Sequence, residues 1–300
     1  MGKKIILFLV GIGILGVAFS ISPLFALDLQ YHEIYQLKGG MSADDIMQIQ
    51  YFNQYTKFAH DYESTGYVYL IEKSGAQRQR TFLRKRVLLG RAEDDIAYKD
   101  VTMFIGPTSV KGLGILSWTY MEYNRDPDQW LWIPSLKKVR KISASQADDS
   151  FLGSDFTSEE ITTRKFEDET YALLREERFG GYTSEFNNKT YFQGANCYVI
   201  EAKPKRSPWY YSKRIIWVDK ETGGDVYQEI YDALGRKYKI LLKNYEIMDV
   251  GSRDYTTQTL LECKDFRTGH STIIEMKDIK FDQGLEESDF SERILRRSKW

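Results

Sequence analysis

The chain has 300 residues, a formal net charge of −1 at pH 7, three histidines and two cysteines. That balance gives no global attraction to nucleic acid. The histidines (His32, His60 and His270) lie in unrelated segments without ligand spacing, so no metal site and no cofactor is expected.

In chain order, Lys3 and Lys4 precede an uncharged run from Ile5 to Leu27. A short basic start, an apolar stretch and a small residue before a polar segment read as a secretory signal peptide over residues 1–26, with export to the periplasm. An uncleaved anchor helix is the alternative, because the run approaches the ~20 residues that span a bilayer. Cleavage after Ala26 removes two lysines and no acid, moving the net charge from −1 to −3. The remaining residues, 27–300, suit one large β domain with its core at about 42–282.

SADDIMQIQYFNQYTKFA (42–59) sets Ile46, Ile49, Phe52 and Tyr55 at helical spacing behind a Ser42 cap. YVYLIE (67–72) and RTFLRKRVLL (80–89) then alternate like a hairpin, followed by DVTMFIG (100–106), ILSWTYMEY (115–123) and QWLWIP (129–134). LKKVRKISASQADDSFLGSDFTSEEI (136–161) is a polar excursion, and long excursions between strands often serve as lids. Inside it Gly153 permits a bend, and Thr157 with Glu160 makes a helix-capping pattern.

The second half returns to a meander through NCYVIEAKP (196–204), SKRIIWVDK (212–220), DVYQEIYD (225–232) and RKYKILLKNYEIM (236–248). QTLLECKDF (258–266) and STIIEMKDIKFD (271–282) complete it, and the charged tail after Gly284 reads as a short helix. Aromatic residues at 14%, few prolines and about ten or eleven strands predict a mainly β (α+β) fold, a single antiparallel sheet or open barrel. Cys197 and Cys263 both sit in strand-like runs, where a disulfide and two buried thiols fit equally well.

Catalytic chemistry is sparse. No GxSxG elbow occurs, and Ser154, Asp155 and His270 fit a triad poorly because no apolar strand leads into Ser154. Local turn hydrogen bonding explains Asp155 and Thr157 better, so no enzyme is expected. A basic and aromatic patch at 203–214 (Lys203, Lys205, Arg206, Trp209, Lys213 and Arg214) fits a lipid headgroup or a partner protein.

WTYMEYNRDPDQWLWIPSLKKVRKISASQADDSFLGSDFTSEEI (118–161) resembles the outer-membrane lipoprotein-sorting protein family, the LolA-like periplasmic carriers. The resemblance rests on the DQW turn at Asp128–Trp130, the W-x-P-x-L-x-x-V-R-x-I run from Trp132 to Ile142, and F-x-G-S-D-F from Phe151 to Phe156. KRIIWVDKETGGDVYQEIYDALGRKYK (213–239) and TGHSTIIEMKDIKFD (268–282) extend it to roughly 42–281.

The resemblance implies an incomplete antiparallel barrel with helices over its concave face, binding lipoprotein acyl chains or another lipid between inner and outer membranes. An inner-membrane RND-superfamily permease or a lipoprotein-release transporter is the implied partner, and a monomer is expected. Trp118, Tyr120, Trp130 and Trp132 are the candidate cavity wall, or Leu131 and Ile133 if the strand phase is opposite. Phe151, Gly153, Ser154, Asp155 and Phe156 are the candidate gate. The alternative is an accessory subunit of an RND-type exporter that docks through the 203–214 patch and carries no lipid.

Overall fold

Period-two alternation between residues 61 and 142 folds as a six-strand meander: β1 (Asp61–Ile71), β2 (Gln77–Leu88), β3 (Ile96–Gly106), β4 (Gly114–Tyr120), β5 (Asp128–Ile133) and β6 (Lys138–Ile142). The structure is a computed structural model that describes residues 37–55, 59–89, 95–122, 125–142, 148–161, 164, 166–249 and 254–296. The expected signal peptide lies outside the described residues. So do parts of the excursion.

The second half supplies β7 (Glu169–Arg178), a two-residue-per-strand hairpin β8–β9 (Tyr182–Thr183 and Thr190–Tyr191), β10 (Asn196–Pro204), β11 (Lys213–Asp219), β12 (Asp225–Tyr231), β13 (Lys237–Asp249), β14 (Asp254–Asp265) and β15 (His270–Phe281). Thirteen strands form one antiparallel sheet in the order β6-β5-β4-β3-β2-β1-β15-β14-β13-β12-β11-β10-β7. The chain walks from β1 out to one edge, crosses to the other edge, and returns to β15 beside β1. The β1–β15 ladder, with Val68 opposite Ile274, joins the two halves. Edges β6 and β7 do not pair, so the sheet is an incomplete barrel, as the sequence implied.

Those two edge strands are the ones the sequence concealed. β6 reads KVRKI, and β7 reads ETYALLREER with most of its length exposed. A mostly exposed edge strand shows little alternation, and charge along it discourages edge-to-edge pairing. The tail after Gly284 forms two single-turn 3-10 segments, Glu287–Asp289 and Ile294–Arg296, instead of a helix.

Helix α1 (Ala43–Tyr55) begins at a reciprocal cap: the Asp45 N–H donates to Ser42 Oγ at 3.1 Å, and the Ser42 N–H donates to Asp45 Oδ2 at 3.2 Å. Its Ile46 and Met47 pack on Ile200, Ile216 and Val218, inside the curve of the sheet. Each such fully buried side chain contributes about 1.5–3 kcal/mol. The other face of β2–β6 is covered by the C-terminal segment, whose Phe290, Ile294 and Leu295 pack on Val101, Met103 and Leu116. Asp61 fixes that segment by accepting the N–H groups of Gln283, Gly284 and Leu285 at 2.7–2.8 Å.

Cys197 and Cys263 are both free and buried, in separate packing clusters. Burial pushes the Cys197 thiol up to about 12, so it behaves as a small apolar residue.

Candidate functional site

β2 carries QRQRTFLRKRVL, and its alternation turns Arg80, Phe82, Arg84 and Arg86 toward the concave side. Pairing sets Arg84 opposite Thr102 and Arg86 opposite Asp100 on β3. The Asp100 carboxylate receives Arg84 Nε at 3.0 Å and Nη2 at 2.8 Å, and Arg86 Nε at 2.8 Å, all on Oδ2. Burial alone would raise Asp100, but the two guanidiniums outweigh it and hold the carboxyl below its ordinary range. Arg86 also lies over the Tyr98 ring, 4.0 Å from its centroid.

These groups line a cleft of about 230 Å³ on the concave face. Its apolar wall comes from both halves of the sheet: Val68, Phe82, Phe104 and Ile115 on one side, Leu261 and Ile274 on the other. Gly66 makes room for this wall. A Cβ there would lie 2.0 Å from the Phe82 ring, so only glycine lets the ring fold over β1.

Phe151, Leu152, Ser154, Ser158 and Ile161 of the excursion close the cleft. Leu152 and Gly153 both adopt the left-handed region, with φ of 53° and 73°. A leucine there is strained, and the Leu152 carbonyl is held by Arg80 Nη1 at 2.7 Å. Phe156 is 1% exposed among Tyr211, Ile230, Leu241 and Cys263. Thr157 starts α2 (Ser158–Ile161): its N–H donates to Glu160 Oε2 at 2.8 Å, and the Glu160 N–H donates to Thr157 Oγ1 at 3.2 Å. This is the capping box expected from the sequence.

Asp155 is a tether. Its backbone N–H donates to Thr272 Oγ1 at 3.0 Å, the Thr272 hydroxyl donates to its Oδ2 at 2.7 Å, and Lys239 Nζ donates to its carbonyl at 2.7 Å. Burial raises the Asp155 carboxyl above its ordinary value. The Ser154 hydroxyl donates only to the Phe156 carbonyl, at 3.5 Å. These are the contacts of a turn.

The four aromatics expected as cavity wall lie elsewhere. Trp118, Trp130 and Trp132 pack beneath the C-terminal segment on the opposite face, with Trp118 Nε1 donating to the Phe290 carbonyl at 2.9 Å. Tyr120 shares their phase on β4, and its hydroxyl donates to Asp128 at 2.8 Å. The cleft takes the opposite phase: Ile115, Ser117, Thr119 and Gln129. Leu131, paired with Ile115, shares the cleft-facing side. Both faces of β4 and β5 are covered, which is why apolar content could not set the phase.

The 203–214 patch also divides. Arg214 is buried and paired with Glu169, while Lys203 and Lys213 both bind Glu201, at 2.7 and 3.1 Å. Lys205 and Arg206 remain exposed, with Arg206 4.3 Å from the Trp209 ring centroid. The sequence reading missed Arg80, Arg84, Arg86 and Asp100. Their period-two spacing was visible, but charged alternate positions on a strand ordinarily mark the solvent face.

A family model described only as "Uncharacterized protein" matches residues 97–297. A solved domain described as an outer membrane lipoprotein-sorting protein, from Vibrio parahaemolyticus, is 26% identical with a TM-score of 0.68, over 85% of this chain and 98% of its own. A DUF1329 family protein from Desulfovibrio piger is 24% identical with a TM-score of 0.69, over 85% and 98%. A LolA superfamily protein from Nitrosomonas europaea is 17% identical with a TM-score of 0.57, over 85% and 100%. No curated protein matches the chain.

Proposed function

We infer that this chain, which belongs to the family matched across residues 97–297 and has a LolA-like fold, is a periplasmic carrier of acyl chains. The observation that carries the reading is the cleft: apolar walls drawn from both halves of an open barrel, under a strap of backbone. Each buried methylene contributes about 0.8 kcal/mol, so ten approach the ~8 kcal/mol of a micromolar complex before the costs of immobilisation.

At about 230 Å³ the cleft falls below the ~300–1,000 Å³ of sites for drug-sized ligands. Loading a long chain therefore requires the 148–161 segment to move, and release requires it to move again. Transfer needs no covalent step. The donor or acceptor would be an inner-membrane permease of the RND superfamily or a lipoprotein-release transporter. The docking-subunit alternative loses ground because three of the six patch residues are held within the protein, Lys203 and Lys213 by Glu201 and the buried Arg214 by Glu169.

Mass spectrometry of organic extracts from protein purified out of the envelope fraction tests the reading, together with titration of a fluorescent fatty acid. Stoichiometric lipid and saturable binding are expected. Protein that carries no lipid and binds none of the probe overturns it.

A further inference from the structure

The cleft is not a uniform apolar trough. Its lining holds three guanidiniums, Arg80, Arg84 and Arg86, and one carboxylate, Asp100, which Arg84 and Arg86 share. Among the described residues Arg80 has no carboxylate partner; its Nη1 donates to the neutral Leu152 carbonyl. A guanidinium half-withdrawn from water with no carboxylate beside it is better satisfied by an anion than by a neutral group. A neutral hydrocarbon ligand would give these guanidiniums nothing.

A second observation points the same way. Gln258 Nε2, on β14 across the cleft, is buried and has no hydrogen-bond partner among the described residues. An amide N–H left unpaired beside these guanidiniums is suited to an anionic oxygen. Guanidinium groups match carboxylate and phosphate oxygens in geometry as well as charge.

We propose that the ligand is an anionic amphiphile, with its carboxylate or phosphate head at Arg80 and Arg84 and its chain along Val68, Phe104, Ile115 and Ile274. The inference rests on the lipid-carrier reading and specifies the class of lipid. A single chain suits the cleft better than two, given its volume. Arg80 has a further consequence. Because it also holds the Leu152 carbonyl, a head group that draws it away frees the strap at its strained residue, coupling head recognition to opening.

The test is competition against a bound fluorescent fatty acid by ligands of equal chain length: palmitate against hexadecanol, and palmitoyl lysophosphatidic acid against monopalmitoylglycerol. Acetate and inorganic phosphate serve as chainless anions. The wild type is expected to favour each acid over its neutral counterpart at least tenfold. Whichever acid competes better identifies the head as carboxylate or phosphate.

Arg80→Gln and Arg84→Gln are each expected to cut that preference, read as the ratio of palmitate to hexadecanol affinity within the same variant, from at least tenfold to below threefold. Circular dichroism and melting temperature establish that each variant is folded. Equal affinity for acids and neutral analogues overturns the inference and leaves the carrier reading standing. A preference that survives both substitutions overturns it too. Acetate or phosphate competing as well as palmitate would make the site a simple anion site, and no binding of any chain would remove the carrier reading itself.

Discussion

Lys239 and Glu160 form an ion pair of 3.1 Å with side chains only 3% and 0% exposed, tying the strap over the cleft to β13. Burial works against the Lys239 cation, but the Glu160 carboxylate outweighs it and raises Lys239 above its ordinary value. Removing one partner leaves the other charged in an apolar setting. Lys239→Met is therefore expected to cost about 3–5 kcal/mol in urea unfolding. The double variant Lys239→Met with Glu160→Gln should recover most of that loss, since no buried charge remains unpaired. A double variant as unstable as the single one would show that the pair does not govern the anchoring.

Glu169 gives the fold a sign-definite pH dependence. Burial would raise its carboxyl, but Arg214 and Arg164 bring it down to about 2 from an ordinary value of 4.5. Its folded value is depressed, so its contribution is complete above about pH 4.5 and is lost as pH falls from there toward 2. Glu169→Gln is expected to cost about 3–5 kcal/mol at neutral pH, and the deficit against wild type should shrink steadily below about pH 4.5. Chemical denaturation at matched pH values checks this. A deficit independent of pH down to 2 would refute the assignment.

How much of this was legible differs by element. β10 was read at its observed limits, 196–204, because it lies inside the sheet and shows an apolar run bounded by turns. The strap was legible from Gly153, the Thr157–Glu160 cap and two phenylalanines, since those signals are local. β6 and β7 were not, because mostly exposed, charged edge strands carry little period. Least visible was the function of β2. Arg80, Arg84 and Arg86 look like a solvent face until the curvature of the sheet turns that face inward. No local pattern reports curvature, which arises only when thirteen strands close most of a barrel.

The phase of β4 offers a direct contrast between site and scaffold. Ile115 faces the cleft, whereas Trp118 packs edge-on against Trp130, 5.0 Å between centroids, under the C-terminal segment. Ile115→Trp should fill the cleft and weaken fatty-acid binding at least tenfold. Because the indole enters free space, its stability cost should not exceed the ~1–3 kcal/mol of overpacking a tight core. Trp118→Ala should do the reverse. It removes the hydrogen bond to Phe290 and the packing of the tail, costing about 3 kcal/mol, with binding by the folded protein unchanged. Melting curves and fatty-acid titrations on the two variants separate these effects. If Trp118→Ala abolished binding while Ile115→Trp left it intact, the ligand would lie on the outer face, and the aromatic row would be the wall after all.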